Sequence, residues 1–125
     1  MKTIIVSLLL LAATIARAEL PSASPAAITQ ALTSGTPTVI DLGARSCVQC
    51  KKMAPILETL AAENKGKASV LFIDVSRDSA AADRFKVRMI PTQIFFDAAG
   101  KEVKRHIGFM DKGGLVRELK GAGLK

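Results

Sequence analysis

The sequence predicts an α/β three-layer sandwich, a mixed four-stranded sheet with helices on both faces. Three observations predict it. Two apolar runs, residues 38–42 and 68–75, flank a long stretch with helical periodicity, the pattern of parallel strands joined by a crossover helix. Two more strand-like runs, 92–97 and 102–107, are separated by Ala98-Ala99-Gly100-Lys101 and read as a hairpin. Helical patterns stand before the first strand, between the second strand and the hairpin, and after the hairpin. The predicted order is α-βαβ-α-ββ-α.

Each element has a local reason. Ser24 followed by Pro25 is an N-cap with proline at the first helical position, so a helix is expected over 26–34, ended by Gly35. Pro37 opens the first strand, which runs through Leu42. Met53, Ile56, Leu57, Leu60 and Ala61 recur at the spacing of one helix face, so a helix is expected from about Val48 to Asn64. Pro55 removes one backbone donor inside it and should kink it; Gly66 stops it. The run Ala-Ser-Val-Leu-Phe-Ile-Asp-Val over 68–75 is a buried strand. Residues 78–85 form a short helix with Ser76 or Asp78 at its cap, and residues 111–120 a closing helix.

The chain has 125 residues. Residues 1–18 read as a secretory signal peptide: Lys2 is the positive start, 4–16 is almost wholly apolar, and Ala16-Arg17-Ala18 fits a small-x-small cleavage pattern. The apolar run falls short of the roughly twenty residues a membrane span needs. The expected domain is 19–125, a single core. With Lys2 and Arg17 removed, 16 basic residues face 11 acidic ones, a net charge of +5. The basic residues are scattered and there is no Trp or Tyr, which argues against nucleic-acid binding. A periplasmic or secreted location follows from the signal reading.

Cys47-Val48-Gln49-Cys50 holds both cysteines, where a strand gives way to a helix. A cysteine at a helix start meets unpaired backbone N–H groups and the positive end of the helix dipole, which favour the nucleophilic thiolate. Arg45, Lys51 and Lys52 lie nearby in sequence and are expected to favour it further. The second cysteine, about one turn on, is close enough to form a disulfide. A bridge over so short a loop does little to restrict the unfolded chain, so the spacing suits redox chemistry better than structural stapling. Cys47 is expected to be the exposed attacking nucleophile. Cys50, on the side of Met53 and Leu57, is expected to be the buried resolving thiol.

These residues resemble the thioredoxin family over about residues 37–120. Asp41 lies six residues before Cys47, where thioredoxins carry a buried acid. Pro55 matches the helix-kinking proline, Ile90-Pro91-Thr92 the cis-proline segment, and Gly108 the glycine after the last strand. The resemblance implies a thioredoxin-like fold and a thiol–disulfide oxidoreductase. It also shows departures. Gly43 and Ser46 replace the flanking tryptophans, Val48-Gln49 replaces Gly-Pro, Val70 stands where a lysine commonly pairs with the buried acid, and the N-terminal strand is absent. The Cys-Val-x-Cys motif is similar to the thioredoxin-like electron-accepting domains of bacterial membrane disulfide reductases.

Asp41 alternates with Val39 and Gly43 on one strand face; buried there, it would have a raised pKa and would accept the Cys50 proton. Ile90, Pro91 and Thr92 are expected to bind substrate, a cis bond leaving nearby backbone free to pair with an extended chain. His106, the only histidine, reads as a solvated residue of the far hairpin strand. A Cu(I) reading would combine it with Cys47, Cys50 and Met89 or Met110. Phe109 and Met110 are candidates to line the groove; Phe72, Phe95 and Phe96 read as core. The leading expectation is a monomeric reductase of protein disulfides using its own cysteine pair, with no bound cofactor or metal and a membrane thiol electron donor. A disulfide oxidase or isomerase, a Cu(I) carrier and a non-catalytic binding module are the alternatives.

Overall fold

The computed structural model describes residues 19–125; the signal-peptide reading of 1–18 lies outside the described residues. Four helices and four strands follow in the expected order: α1 (Pro25–Leu32), β1 (Thr38–Gly43), α2 (Val48–Glu63), β2 (Ser69–Asp74), α3 (Ser79–Arg84), β3 (Thr92–Phe96), β4 (Glu102–Ile107) and α4 (Lys112–Gly121). The strand order is β2-β1-β3-β4, with β1 parallel to β2 and antiparallel to β3, and β3 antiparallel to β4. Among the described residues no helix is long and apolar enough to cross a membrane.

Side-chain alternation along the strands sorts the core into two layers. Val39, Val70, Phe72 and Phe95 face α2 and α4, where they meet Met53, Leu57, Leu60, Leu115 and Leu119. Ile40, Leu42, Ile73, Ile94 and Phe96 face the other way, onto Ile28 of α1 and Ala81 and Phe85 at α3. Central strand β1 is therefore buried at every position. Each fully buried side chain of this size contributes roughly 1.5–3 kcal/mol relative to exposure. Edge strand β4 is mostly exposed, and Lys104 and Arg105 place charge along it, which discourages pairing with a second sheet.

The caps anticipated from sequence at α1 and α3 are formed, and Asp111, expected as the first residue of the closing helix, is its cap instead. Ser24 Oγ accepts from the Ala27 N–H at 3.1 Å, and Asp78 Oδ1 accepts from the Ala81 N–H at 3.0 Å. Asp111 Oδ1 accepts from the Gly114 N–H at 2.8 Å and starts α4. Pro55 stands within α2. The lead-in departs slightly from expectation. It forms no strand of its own, yet Ser22 makes a single parallel bridge to Phe72, and the Ala23 N–H donates to the Phe72 carbonyl at 2.7 Å. The exposed backbone edge of β2 is the reason: it offers acceptors that the lead-in can reach.

Candidate functional site

The end of β1 and the start of α2 build the site. After Gly43 the chain turns through Ala44, whose carbonyl accepts the Cys47 N–H at 3.2 Å, and α2 begins. Cys47 is the N-cap of α2, with extended backbone, and its Sγ accepts the Cys50 N–H at 3.3 Å. The sulfur thus occupies the position where free N–H groups and the helix dipole favour negative charge. Cys47 and Cys50 form a disulfide, their Cα atoms 5.1 Å apart. Cys47 is half-buried; Cys50 is 5 % exposed and lies on the inner face with Met53 and Leu57.

Gly43 has no side chain to hold the Cys50 sulfur away from β1, and a Cβ there would lie 3.1 Å from Sγ. Behind Cys50 is a cavity of about 30 Å³ bordered by Leu20, Ala44, Leu57 and Phe72. That is room for a water and far too little for an organic cofactor.

Two residues back on the same face of β1 is Asp41, 0 % exposed. Its neighbours across the ladders are Phe72 and Gln93. Burial pushes the carboxyl up from the ordinary 3.8 to about 6, and a hydrogen bond from Gln93 lowers it in part. That bond runs from Gln93 Nε2 to Asp41 Oδ1 at 2.9 Å, while Oδ2 has no partner among the described residues. Asp41 is thus poised to hold or release a proton near neutral pH. Val70, in the place of the usual lysine, is part of the apolar core, so Gln93 is the polar partner of the acid in this chain.

The Ile90–Pro91 bond is cis. Of the three residues expected to bind substrate, only Ile90 presents side-chain surface, at 37 %; Pro91 is buried and Thr92 is 2 % exposed. The Thr92 hydroxyl donates to the Met89 carbonyl at 2.6 Å, and the Pro91 carbonyl accepts the Gly108 N–H at 2.8 Å. Thr92 therefore holds the segment in place from inside. Gly108 has a φ of 101°, a left-handed conformation that suits glycine, and this turns the chain back toward Pro91. Phe109 is exposed, whereas Met110 packs on the core and its N–H meets Met53 Sδ at 3.5 Å.

One expectation, at His106, requires correction, and Arg45 has partners besides those expected. Its guanidinium is committed to the Glu19 carboxylate at 2.7 Å and the Leu20 carbonyl at 2.8 Å, and lies 4.8 Å over the Phe72 ring. The lead-in presents those acceptors, which the local sequence around Arg45 does not reveal. His106 is not a freely solvated strand residue. The β3–β4 register sets it opposite Gln93, and its Nδ1 lies 2.8 Å from Gln93 Oε1, half-buried. Its ring is thus tied to the sheet, and among the described residues no three His, Cys, Asp or Glu side chains cluster in a way that could hold a metal ion.

Gln93 and His106 form the part of the site that sequence reasoning missed. The available signal was Gln93 itself, a carboxamide inside the apolar run Ile94-Phe95-Phe96 with Thr92 before it: a buried polar group implies a partner.

The Thioredoxin family model matches residues 22–121. The chain is 43 % identical over 96 residues to a thioredoxin of Mycolicibacterium smegmatis, covering 75 % of this chain and 85 % of that one. It is 39 % identical over 88 residues to a bifunctional thioredoxin reductase/thioredoxin of Mycobacterium leprae (strain TN); the match covers 70 % of this chain but only 19 % of that longer protein. Among solved structures it resembles a mutant thioredoxin from Halobacterium salinarum NRC-1, with a TM-score of 0.73 at 27 % identity over 82 % of this chain and 88 % of that one.

Proposed function

The chain belongs to the thioredoxin family and is a thiol–disulfide oxidoreductase, and from that premise we propose that it works as a reductase of protein disulfides outside the cytoplasm. The observation that supports its exchange chemistry is the asymmetry of the cysteine pair: Cys47 is accessible at the start of α2, and Cys50 is buried behind it.

In the reduced protein the Cys47 thiolate attacks one sulfur of a substrate disulfide. A mixed disulfide forms, and the other substrate sulfur leaves as a thiolate that takes a proton. Cys50 then gives its proton to the Asp41 carboxylate. The Cys50 thiolate attacks Cys47 Sγ, the mixed disulfide breaks, and the second substrate sulfur departs. The Cys47–Cys50 disulfide is left, and two electrons have passed to the substrate. Asp41 shares a strand face with Gly43, against which the Cys50 sulfur packs, so the acceptor belongs to the same buried layer as the thiol. Around the Ile90–Pro91 bond, Ile90 makes no backbone hydrogen bond among the described residues. It is therefore free to pair with an extended substrate backbone.

The reducing direction rests on the dipeptide. Val48-Gln49 places no histidine between the cysteines, and the Arg45 guanidinium is paired with Glu19. The helix N-terminus and the nearby Lys51 and Lys52 are left as the main support of the thiolate. A moderately stabilised thiolate gives the reduced form no large advantage, which is the condition for donating electrons.

Residues 1–18 act in this reading as a cleaved secretory signal, residues 19–125 as the mature domain, and the site of action is the periplasm or the exterior. An exported reductase needs electrons from across the membrane, so a membrane thiol carrier is its donor. The protein works as a monomer, its site being complete within one chain.

Turnover tests the reading. Reduced protein, regenerated by a dithiol, should open the disulfides of a protein substrate catalytically. A single stoichiometric exchange without turnover would leave only a binding module. N-terminal sequencing of the exported protein should find Glu19 first.

A further inference from the structure

Asp41, Gln93 and His106 stand side by side on adjacent strands. Asp41 pairs with Gln93 across β1 and β3, and Gln93 pairs with His106 across β3 and β4. The two hydrogen bonds, 2.9 Å and 2.8 Å, run without a break from a fully buried carboxyl to a half-buried imidazole on the edge strand.

The chain has a direction because a carboxamide donates from one end only and accepts at the other. Ionised Asp41 only accepts, so Gln93 must show it the Nε2 end. Gln93 Oε1 then faces His106, which must supply a proton on Nδ1. If Nδ1 were bare, the carboxamide would be drawn to reverse. Its Oε1 would then oppose the carboxylate, an arrangement tolerated only with Asp41 protonated on that oxygen. The orientation of Gln93 thus couples the proton on His106 Nδ1 to the proton on Asp41.

We propose that His106 is a positioning residue for the Asp41 proton: its Nδ1–H holds the Gln93 carboxamide donor-first against Asp41 and so favours the ionised carboxylate that accepts from Cys50. The role in turnover rests on Asp41 being that acceptor; the coupling itself does not. The other neighbours of Asp41 on its face, Val39, Gly43 and Phe72, are uncharged. Of the charged groups in the same layer, Asp74 lies two residues along β2 from Phe72, buried and accepting from the Ser76 N–H at 3.0 Å, and Lys104 lies two residues along β4 from His106 and is exposed. Glu58 of α2 has a buried Oε1 without a partner among the described residues, and Lys112 of α4 is paired with Glu63 at 2.9 Å. None of these hydrogen-bonds to Asp41 or His106. The Gln93 hydrogen bond thus offsets part of the effect of burying the acid, and its orientation matters accordingly.

Two NMR measurements on the disulfide form of the full chain test this without reference to turnover. In the unaltered protein at about pH 8, nitrogen shifts of the neutral His106 ring should show the proton on Nδ1. A proton on Nε2 with Nδ1 bare would overturn the proposal, and this arm needs no variant to fold. Second, the Asp41 carboxyl carbon is titrated in the wild type, His106→Phe and Gln93→Leu. His106→Phe should raise the proton affinity of Asp41 by about threefold to tenfold, toward the rise in Gln93→Leu, where the donor itself is gone. An Asp41 titration unchanged in His106→Phe but raised in Gln93→Leu would show that Gln93 holds its orientation unaided, and the role of His106 would be lost. If instead Asp41 proves not to accept from Cys50, the kinetics of Asp41→Asn would show it while both NMR results stood.

Discussion

The Cys50 sulfur packs directly against the backbone of Gly43: a Cβ at residue 43 would lie 3.1 Å from Sγ and 3.2 Å from the Cys50 Cβ.

Gly43→Ala therefore acts unequally on the two redox forms. In the disulfide Sγ is tied to Cys47 and cannot turn from the new methyl, whereas the free thiol can rotate. The oxidised form should be disfavoured and the reduction potential should rise by about 20–40 mV. Equilibration of the variant with a thiol buffer checks this; an unchanged or lower potential would show that the contact does not bear on the redox equilibrium.

The exposure of the two cysteines assigns their roles. Cys50→Ser should accumulate a mixed disulfide with substrate through Cys47, and Cys47→Ser should abolish reduction. Mass spectrometry of the adducts decides it. Equal trapping through Cys50 in the Cys47 variant would reverse the assignment.

Asp41 should make stability fall as pH rises. At about pH 3 and below, the folded and unfolded chains both largely hold this proton. Between the ordinary 3.8 and about 6 the unfolded chain has released it and the folded chain retains it. Above that window the full cost of roughly 2–3 kcal/mol is present. Asp41→Asn should therefore be more stable than the wild type by about that amount at about pH 8, and nearly equal to it at about pH 3. Denaturant unfolding at the two pH values measures it. In stopped-flow kinetics the same variant should slow substrate release more than first attack; rates unchanged from the wild type in both phases across neutral pH would leave Asp41 a structural role only.

Much of this was legible in the chain because its signals are local. Ser24-Pro25, Asp78 and Asp111 mark helix starts whatever the rest of the protein does, and the Met53–Leu57–Leu60 spacing alone defines the buried face of α2. Cys47 and Cys50 are three residues apart, so one turn of helix fixes their order of exposure. The Asp41–Gln93 bond spans 52 residues and depends on the register of β1 against β3, which no local pattern states. The same holds for His106, whose partner is chosen by the β3–β4 register, and for Arg45, whose partners come from the lead-in. Long-range polar pairings set by strand register were the part that sequence reading could not reach.

Arg45→Ala tests one of those pairings. Its ion pair with Glu19 is largely exposed, at 43 % and 61 % of the two side chains, so its removal should cost at most about 1 kcal/mol. The Cys47 thiolate titration, followed by ultraviolet absorbance of the reduced protein, should not move. A marked rise in the thiol pKa would restore Arg45 as a support of the anion.

The reduction potential of the Cys47–Cys50 pair tests the central claim most directly. It can be read by equilibrating the protein with glutathione buffers and labelling free thiols. A reductase whose thiolate has helix and lysine support but no histidine should lie near the thioredoxin value of about −270 mV, and so stay oxidised in buffers poised near about −200 mV. A pair that remains reduced in those buffers, with a potential near the roughly −120 mV of a strong thiol oxidase, would contradict the account and make the protein a donor of disulfides.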